Sequence, residues 1–111
     1  MSATKYVIQA TKRDLGLMHN DDFGEVSFHL VMHLKDKKYP QPFDCIFKDT
    51  QEILPKIVEP KVKGRLKYLV GKGILVAFEN NRSVPHEKIN GKKIGSDSIL
   101  FALSEEAKSR L

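Results

Sequence analysis

The chain has 111 residues, with 19 Lys or Arg against 14 Asp or Glu and a formal charge of +5. That length holds one domain, residues 1–111, and excludes a multidomain enzyme. Hydrophobic residues at 41% and charged residues at 30% are ordinary for a globular domain and exclude a disordered or fibrous chain.

The single cysteine, Cys45, cannot close an internal bridge, so a reducing compartment is expected. Residues 1–20 lack a basic start followed by an apolar run, and the longest uninterrupted apolar stretch is Gly73 to Phe78. Neither a signal peptide nor a membrane span is expected, and the cytoplasm is the simplest location.

In chain order, residues 4–15 fit a strand, with Tyr6, Ile8 and Ala10 on one face, and equally a helix stopped by Gly16. Residues 24–35 also fit two templates. As a strand, Val26, Phe28, Leu30, Met32 and Leu34 share a face; as a helix, Phe23, Val26, Leu30, Val31 and Leu34 form a stripe. The flanks favour the helix, because Asn20, Asp21 and Asp22 offer a cap and negative charge at its start and Lys35, Lys37 and Lys38 offer positive charge at its end. Residues 39–42 read as a loop with two prolines, and Phe43 to Phe47 as a short strand that buries Cys45 as an inert thiol. Asp49 or Thr50 then caps a short helix through Leu54. Pro55 would cost about 3 kcal/mol inside a helix, so that helix is one turn long, kinked, or begins at Pro55.

The second half is more legible. Val62, Leu66, Leu69 and Val70 recur at spacings of three and four, which predicts a helix over 60–72 with Pro60 in its first turn and Gly73 closing its end. Residues 74–78 (ILVAF) read as a strand, residues 79–97 as a polar loop with a long hairpin around Asn90 and Gly91, and Ser98 to Leu103 as the return strand. Ser104 caps a C-terminal helix whose first turn holds Glu105, Glu106 and Ala107.

Charge is concentrated rather than spread. Between Ile53 and Lys72 stand Lys56, Lys61, Lys63, Arg65, Lys67 and Lys72 against Glu59 alone, which accounts for the entire net charge of +5. A surplus confined to one segment is the footprint of a site that meets a polyanion, since each cation that neutralises a phosphate releases a counterion. The alternative is an ordinary solvated helix face.

Residues 62–75 (VKGRLKYLVGKGIL), followed by SILFALSEEAKSRL, resemble the winged helix-turn-helix of bacterial and archaeal transcription regulators. The hallmarks are Leu66, Leu69, Gly73 and Ile74 at the end of a helix, and a strand running into Leu103, Ser104, Glu105 and Glu106. The resemblance covers residues 50–111 well and 21–49 loosely. It implies an α+β fold, a winged helix-turn-helix core over 21–111, with an N-terminal extension over 1–20 whose structure the pattern leaves open.

It also implies that helix 60–72 enters the major groove of double-stranded DNA, with Lys61, Lys63, Gly64, Arg65 and Lys67 on the contact face. Arg65 would make a bidentate contact to guanine and the lysines would hold phosphates, while Gly64 would let the backbone approach the duplex. Arg82, Lys88, Lys92 and Lys93 would lie on the wing. The chain is then a regulator of transcription or replication that does no chemistry, and a homodimer would have to use residues 1–35.

Other chemistry is weakly signalled. His29 and His33 could share a metal on a helix, at about 6 Å, but not on a strand, at roughly 13 Å; no second pair or cysteine accompanies them. No phosphate-loop motif and no catalytic constellation is present, so neither cofactor nor metal is expected and the chain reads as no enzyme. The competing class is a protein-interaction or inhibitor module of a phage or mobile element, with the basic face solvated or bound to RNA.

Overall fold

The computed structural model describes residues 2–89, 91–96 and 98–111, with only the backbone for 2–4, 91 and 92. The chain runs α1 (Ser2–Asp14), α2 (Glu25–Lys35), β1 (Gln41–Pro42), α3 (Phe43–Ile53), α4 (Glu59–Gly71), β2 (Leu75–Glu79), β3 (Arg82–Val84), a 3-10 turn (His86–Lys88), α5 (Gly91–Ile94), β4 (Ile99–Leu103) and α6 (Glu105–Arg110). The fold is α+β, with one antiparallel sheet in the order β1-β4-β2-β3.

The open choices at 4–15 and 24–35 both resolve as helix. In α1, Ile8, Thr11 and Lys12, continued by Leu15 just past its end, form the buried stripe that a 3.6-residue period requires. The α1 helix closes at Gly16 and α4 at Gly73, each at positive φ, 75° and 76°. In each case the next residue's N–H reaches back five positions, Leu17 to Lys12 and Ile74 to Leu69, which satisfies carbonyls that helix ends leave open. Helix α2 buries Ser27, Leu30, Val31 and Leu34. Its start differs from expectation: the cap residue is Gly24, without a side-chain hydrogen bond, and Asn20, Asp21 and Asp22 lie in the preceding connector.

The strand expected over 43–47 is instead the first half of α3. Phe43, Ile46 and Thr50 are buried at helical spacing, a stripe that a five-residue window is too short to separate from alternation. Asp49 and Thr50 are therefore interior, and Thr50 Oγ1 donates to the Ile46 carbonyl at 2.7 Å instead of capping. The helix is eleven residues long and stops before Pro55 takes effect: Leu54 leaves the helical region, which a residue preceding proline avoids, with ψ 80°. Cys45 is exposed on this helix rather than buried in a strand. The two sheet residues Gln41 and Pro42 occupy the expected proline loop and pair with Phe101 and Leu100.

Residues 79–97 contain more structure than a polar loop. Asn80 and Asn81 both have positive φ, 53° and 63°, and turn the chain tightly so that Arg82 faces Glu79 across a hairpin. Asparagine tolerates that region better than other residues with side chains, and such turns match the twist of the strands they join. The hairpin expected around Asn90 and Gly91 gives way to helix from Gly91, while Asn90 and Asp97 lie outside the described residues. Ile89 and Ile94, both buried, tie this segment to the core.

On the inner face of the sheet Leu75, Ala77, Ile99, Phe101 and Leu103 meet Leu30, Leu34, Ile46, Leu66 and Leu69 from the helices in one core. A buried leucine of this kind contributes roughly 1.5–3 kcal/mol. The C-terminal helix forms as expected, with Ser104 Oγ accepting from the Ala107 N–H at 3.1 Å. No helix among the described residues is long and apolar enough to cross a membrane.

Candidate nucleic-acid interface

Helix α4 buries Val62, Leu66 and Leu69 against the core, so positions on the other half of its circumference face out. Those are Lys61, Gly64, Lys67 and Gly71, all exposed and successive at spacings of three and four. Among the described residues a Cβ at Gly64 would meet nothing within 4 Å, and one at Gly71 would lie against the His86 ring, at 3.4 Å. The outward ridge is therefore low, with two lysines flanking bare backbone. At its C-terminal end a shallow groove runs between the helix and His86, bounded by Lys67, Tyr68 and Lys72.

The six cations of this segment divide into two sets. Lys63 bends toward α3, 3.9 Å from Glu59 and 5.3 Å above the Phe43 ring. The Arg65 guanidinium, 20% exposed, donates to the Asp22 carbonyl at 2.9 Å and to its carboxylate at 3.1 Å, and lies 4.7 Å from the Tyr68 ring. Lys72 donates to Asp21 Oδ1 at 2.7 Å. Lys56, Lys61 and Lys67 are exposed and make no ion pair among the described residues. Three of the six cations are thus paired inside the molecule, and the outward charge is carried by the other three, all lysines.

Asp21 and Asp22 are presented by a connector that Lys12 organises. Lys12, 8% exposed on α1, donates to the His19 carbonyl at 3.0 Å and to the Asp21 carbonyl at 2.7 Å. The second oxygen of Asp21 accepts from the Met18 N–H at 2.7 Å. The hydrogen bond from Lys72, backed by that from Met18, holds the Asp21 carboxyl below its ordinary value, and the same contact raises Lys72 above its own. The Tyr68 phenol is held above its usual value by burial first and by Asp21 second, and its hydroxyl has no hydrogen-bond partner among the described residues. The N-terminal extension therefore braces the flank of α4. Sequence reasoning missed this brace because its members are separated by 43 and 51 positions.

Of the expected wing residues, Arg82 is exposed beside the Asn80–Asn81 turn and Lys88 is exposed in the 3-10 turn. Lys93 lies 3.6 Å from Glu79. The Lys92 side chain lies outside the described residues. Within residues 1–35, Tyr6 is 77% and Val7 50% exposed on α1.

His29 and His33 sit on α2 but engage different carboxylates, Glu25 at 3.8 Å and Asp49 at 3.6 Å. No group of three or more potential metal-ligating side chains occurs among the described residues. Burial is the main influence on His33 and lowers its affinity for a proton, despite Asp49, and its Nε2 is buried without a hydrogen-bond partner among the described residues. A histidine that is harder to protonate when folded makes the unfolded chain bind more protons just below the ordinary histidine value, so stability falls as pH drops through about 6.5. The urea midpoint is expected to decrease between about pH 7.5 and about pH 5.5, and His33→Gln is expected to flatten that decrease.

Comparison with protein-family models, with curated proteins and with solved structures finds no match to this chain.

Proposed function

We propose that the chain is a winged-helix DNA-binding protein that inserts α4 into the major groove and acts by occupying duplex DNA, without chemistry of its own. The observation that carries this reading is the outward ridge of α4, where Lys61 and Lys67 flank a glycine with open space above it. The element order supports it: α2, β1, α3 and α4 are followed by β2, a hairpin and β4, with β4 between β1 and β2 in the sheet. The order helix, short strand, helix, basic helix, strand, strand and helix is the one the resemblance implies, and β3, the 3-10 turn and α5 are additional to it. In this reading Lys56, Lys61 and Lys67 hold phosphates, and Arg82 and Lys88 lie on the wing side. Arg65 is a positioning residue that keeps α4 docked on Asp22, and Lys63 steadies the face toward α3. The exposed Tyr6 and Val7 of α1 are assigned to a twofold contact between copies.

Glycine at an exposed helical position costs about 1 kcal/mol relative to alanine, and no packing within the described residues asks for it at Gly64. Close approach of a groove wall would explain it. Gly64→Ala is therefore expected to raise the thermal midpoint while weakening binding to duplex DNA about tenfold. Fluorescence anisotropy with random-sequence duplex at two salt concentrations tests the reading. Binding that falls steeply with salt supports it, whereas no binding at low salt, or a Gly64→Ala variant that binds unchanged, overturns it.

A further inference from the structure

We propose that the outward face of the sheet docks an acidic, apolar-anchored segment of a partner protein. The register pairs Val76 with Ala102 and Phe78 with Leu100, so these four side chains share the face turned away from the helical layer. An antiparallel sheet with one face in water alternates apolar and polar residues along each strand. Here β2 reads LVAFE and β4 reads ILFAL, and neither has a polar residue at those outward positions. Uninterrupted apolar runs belong to strands covered on both faces, yet this face opens to solvent through two hollows that meet at Pro40 and Phe78. These four side chains are half-buried, and an apolar surface left partly open to solvent in this way suits an interaction site.

Charge selects the occupant. Among the described residues the hollow on the α6 side is bounded by Lys37, Lys38 and Lys108 against Glu105 alone, and the hollow beyond Phe78 has no charged lining. Lys37 is 3.8 Å from Asp49 and Lys108 is 3.8 Å from Glu105, long exposed pairs that a partner's carboxylates can replace at little cost. Among the described residues Lys38 reaches only the ring of Tyr39, at 6.0 Å. A second copy of this chain does not fit. Stacked face to face with like ends together, the lysines oppose lysines; with opposite ends together, they approach the hollow lined by Asn80, Asn81 and Ser98, which offers them no carboxylate among the described residues. A segment with apolar side chains over Phe78 and Leu100 and carboxylates over the lysines satisfies both halves, and the charges would set its direction. This inference is independent of the duplex reading.

Selection of a random dodecapeptide phage library on the full chain tests it. Enriched peptides are expected to combine an apolar pair with flanking Asp or Glu. Their synthetic copies are expected to bind the natural chain and to lose at least about tenfold in affinity with Phe78→Ser and with Lys38→Glu. Duplex DNA binding by both variants is expected to be unchanged. Lys38→Glu alters only an exposed side chain and decides the matter if Phe78→Ser does not fold. Absence of enrichment, enriched peptides without net negative charge, or affinity that neither variant moves would overturn the inference. Self-association in sedimentation that Phe78→Ser abolishes would overturn it in favour of a second copy. Loss of duplex binding by the natural chain sinks the duplex reading alone.

Discussion

Changing Lys61 and Lys67 together to alanine is expected to weaken duplex DNA binding about 100-fold and to lower the slope of log affinity against log salt by about 1.8. The first figure follows from about 1.5 kcal/mol for each charge-assisted hydrogen bond removed, the second from about 0.9 counterion released per phosphate neutralised. Neither lysine is in an ion pair among the described residues, and both lie on the outward ridge of α4, so folding stability should stay within about 0.5 kcal/mol of the natural chain. Lys63→Ala provides the contrast. Its ammonium faces Glu59 and the Phe43 ring, so the expected salt slope is that of the natural chain. Anisotropy titrations across a salt series check both. A Lys63→Ala slope that falls as far as that of the double variant would show that the duplex reaches around the α3 side of the helix.

Lys12→Met is expected to cost about 2–4 kcal/mol of stability, with a fall of about 10–20 °C in the thermal midpoint. Methionine keeps much of the buried stem but cannot donate to the carbonyls of His19 and Asp21, which Lys12 now holds at 3.0 and 2.7 Å. With the connector released, Asp21 no longer meets Lys72 at a fixed distance. The carboxyl should rise toward its ordinary value and the ammonium should fall toward its own. A carboxylate with a depressed folded value stabilises above the ordinary carboxylate range and loses that contribution as pH falls through the depressed value. The variant should accordingly lose less stability on acidification than the natural chain. Calorimetry and an NMR titration of the Asp21 carboxyl check the two parts. An unchanged midpoint would mean that solvent serves these carbonyls as well as the ammonium does.

Different residues make different parts of this molecule readable. The helix over 60–72 was legible because Val62, Leu66 and Leu69 repeat at helical spacing between Pro60 and Gly73, and the C-terminal helix because Ser104, Glu105 and Glu106 form a cap and a charged first turn. Residues 43–47 were not, because a five-residue apolar run carries no period of its own; only burial of Phe43, Ile46 and Thr50 against the core chose the helix. The Asn80–Asn81 hairpin was missed because asparagine pairs also populate loops, and cross-strand pairing of Arg82 with Glu79 is a contact that neither residue announces.

The candidate site divides in the same way. Composition alone placed the whole surplus of +5 between Ile53 and Lys72, and periodicity alone turned the apolar residues inward. Which cations remain available was decided by tertiary structure. Arg65 and Lys72 are claimed by Asp22 and Asp21, carboxylates 43 and 51 positions earlier, brought within 3.1 and 2.7 Å by a connector that a buried lysine holds in place. Sequence counts charges one at a time, whereas an ion pair depends on distance in space. The outward remainder at Lys56, Lys61 and Lys67, and the uncovered apolar face beneath Phe78 and Leu100, exist only once the chain has closed.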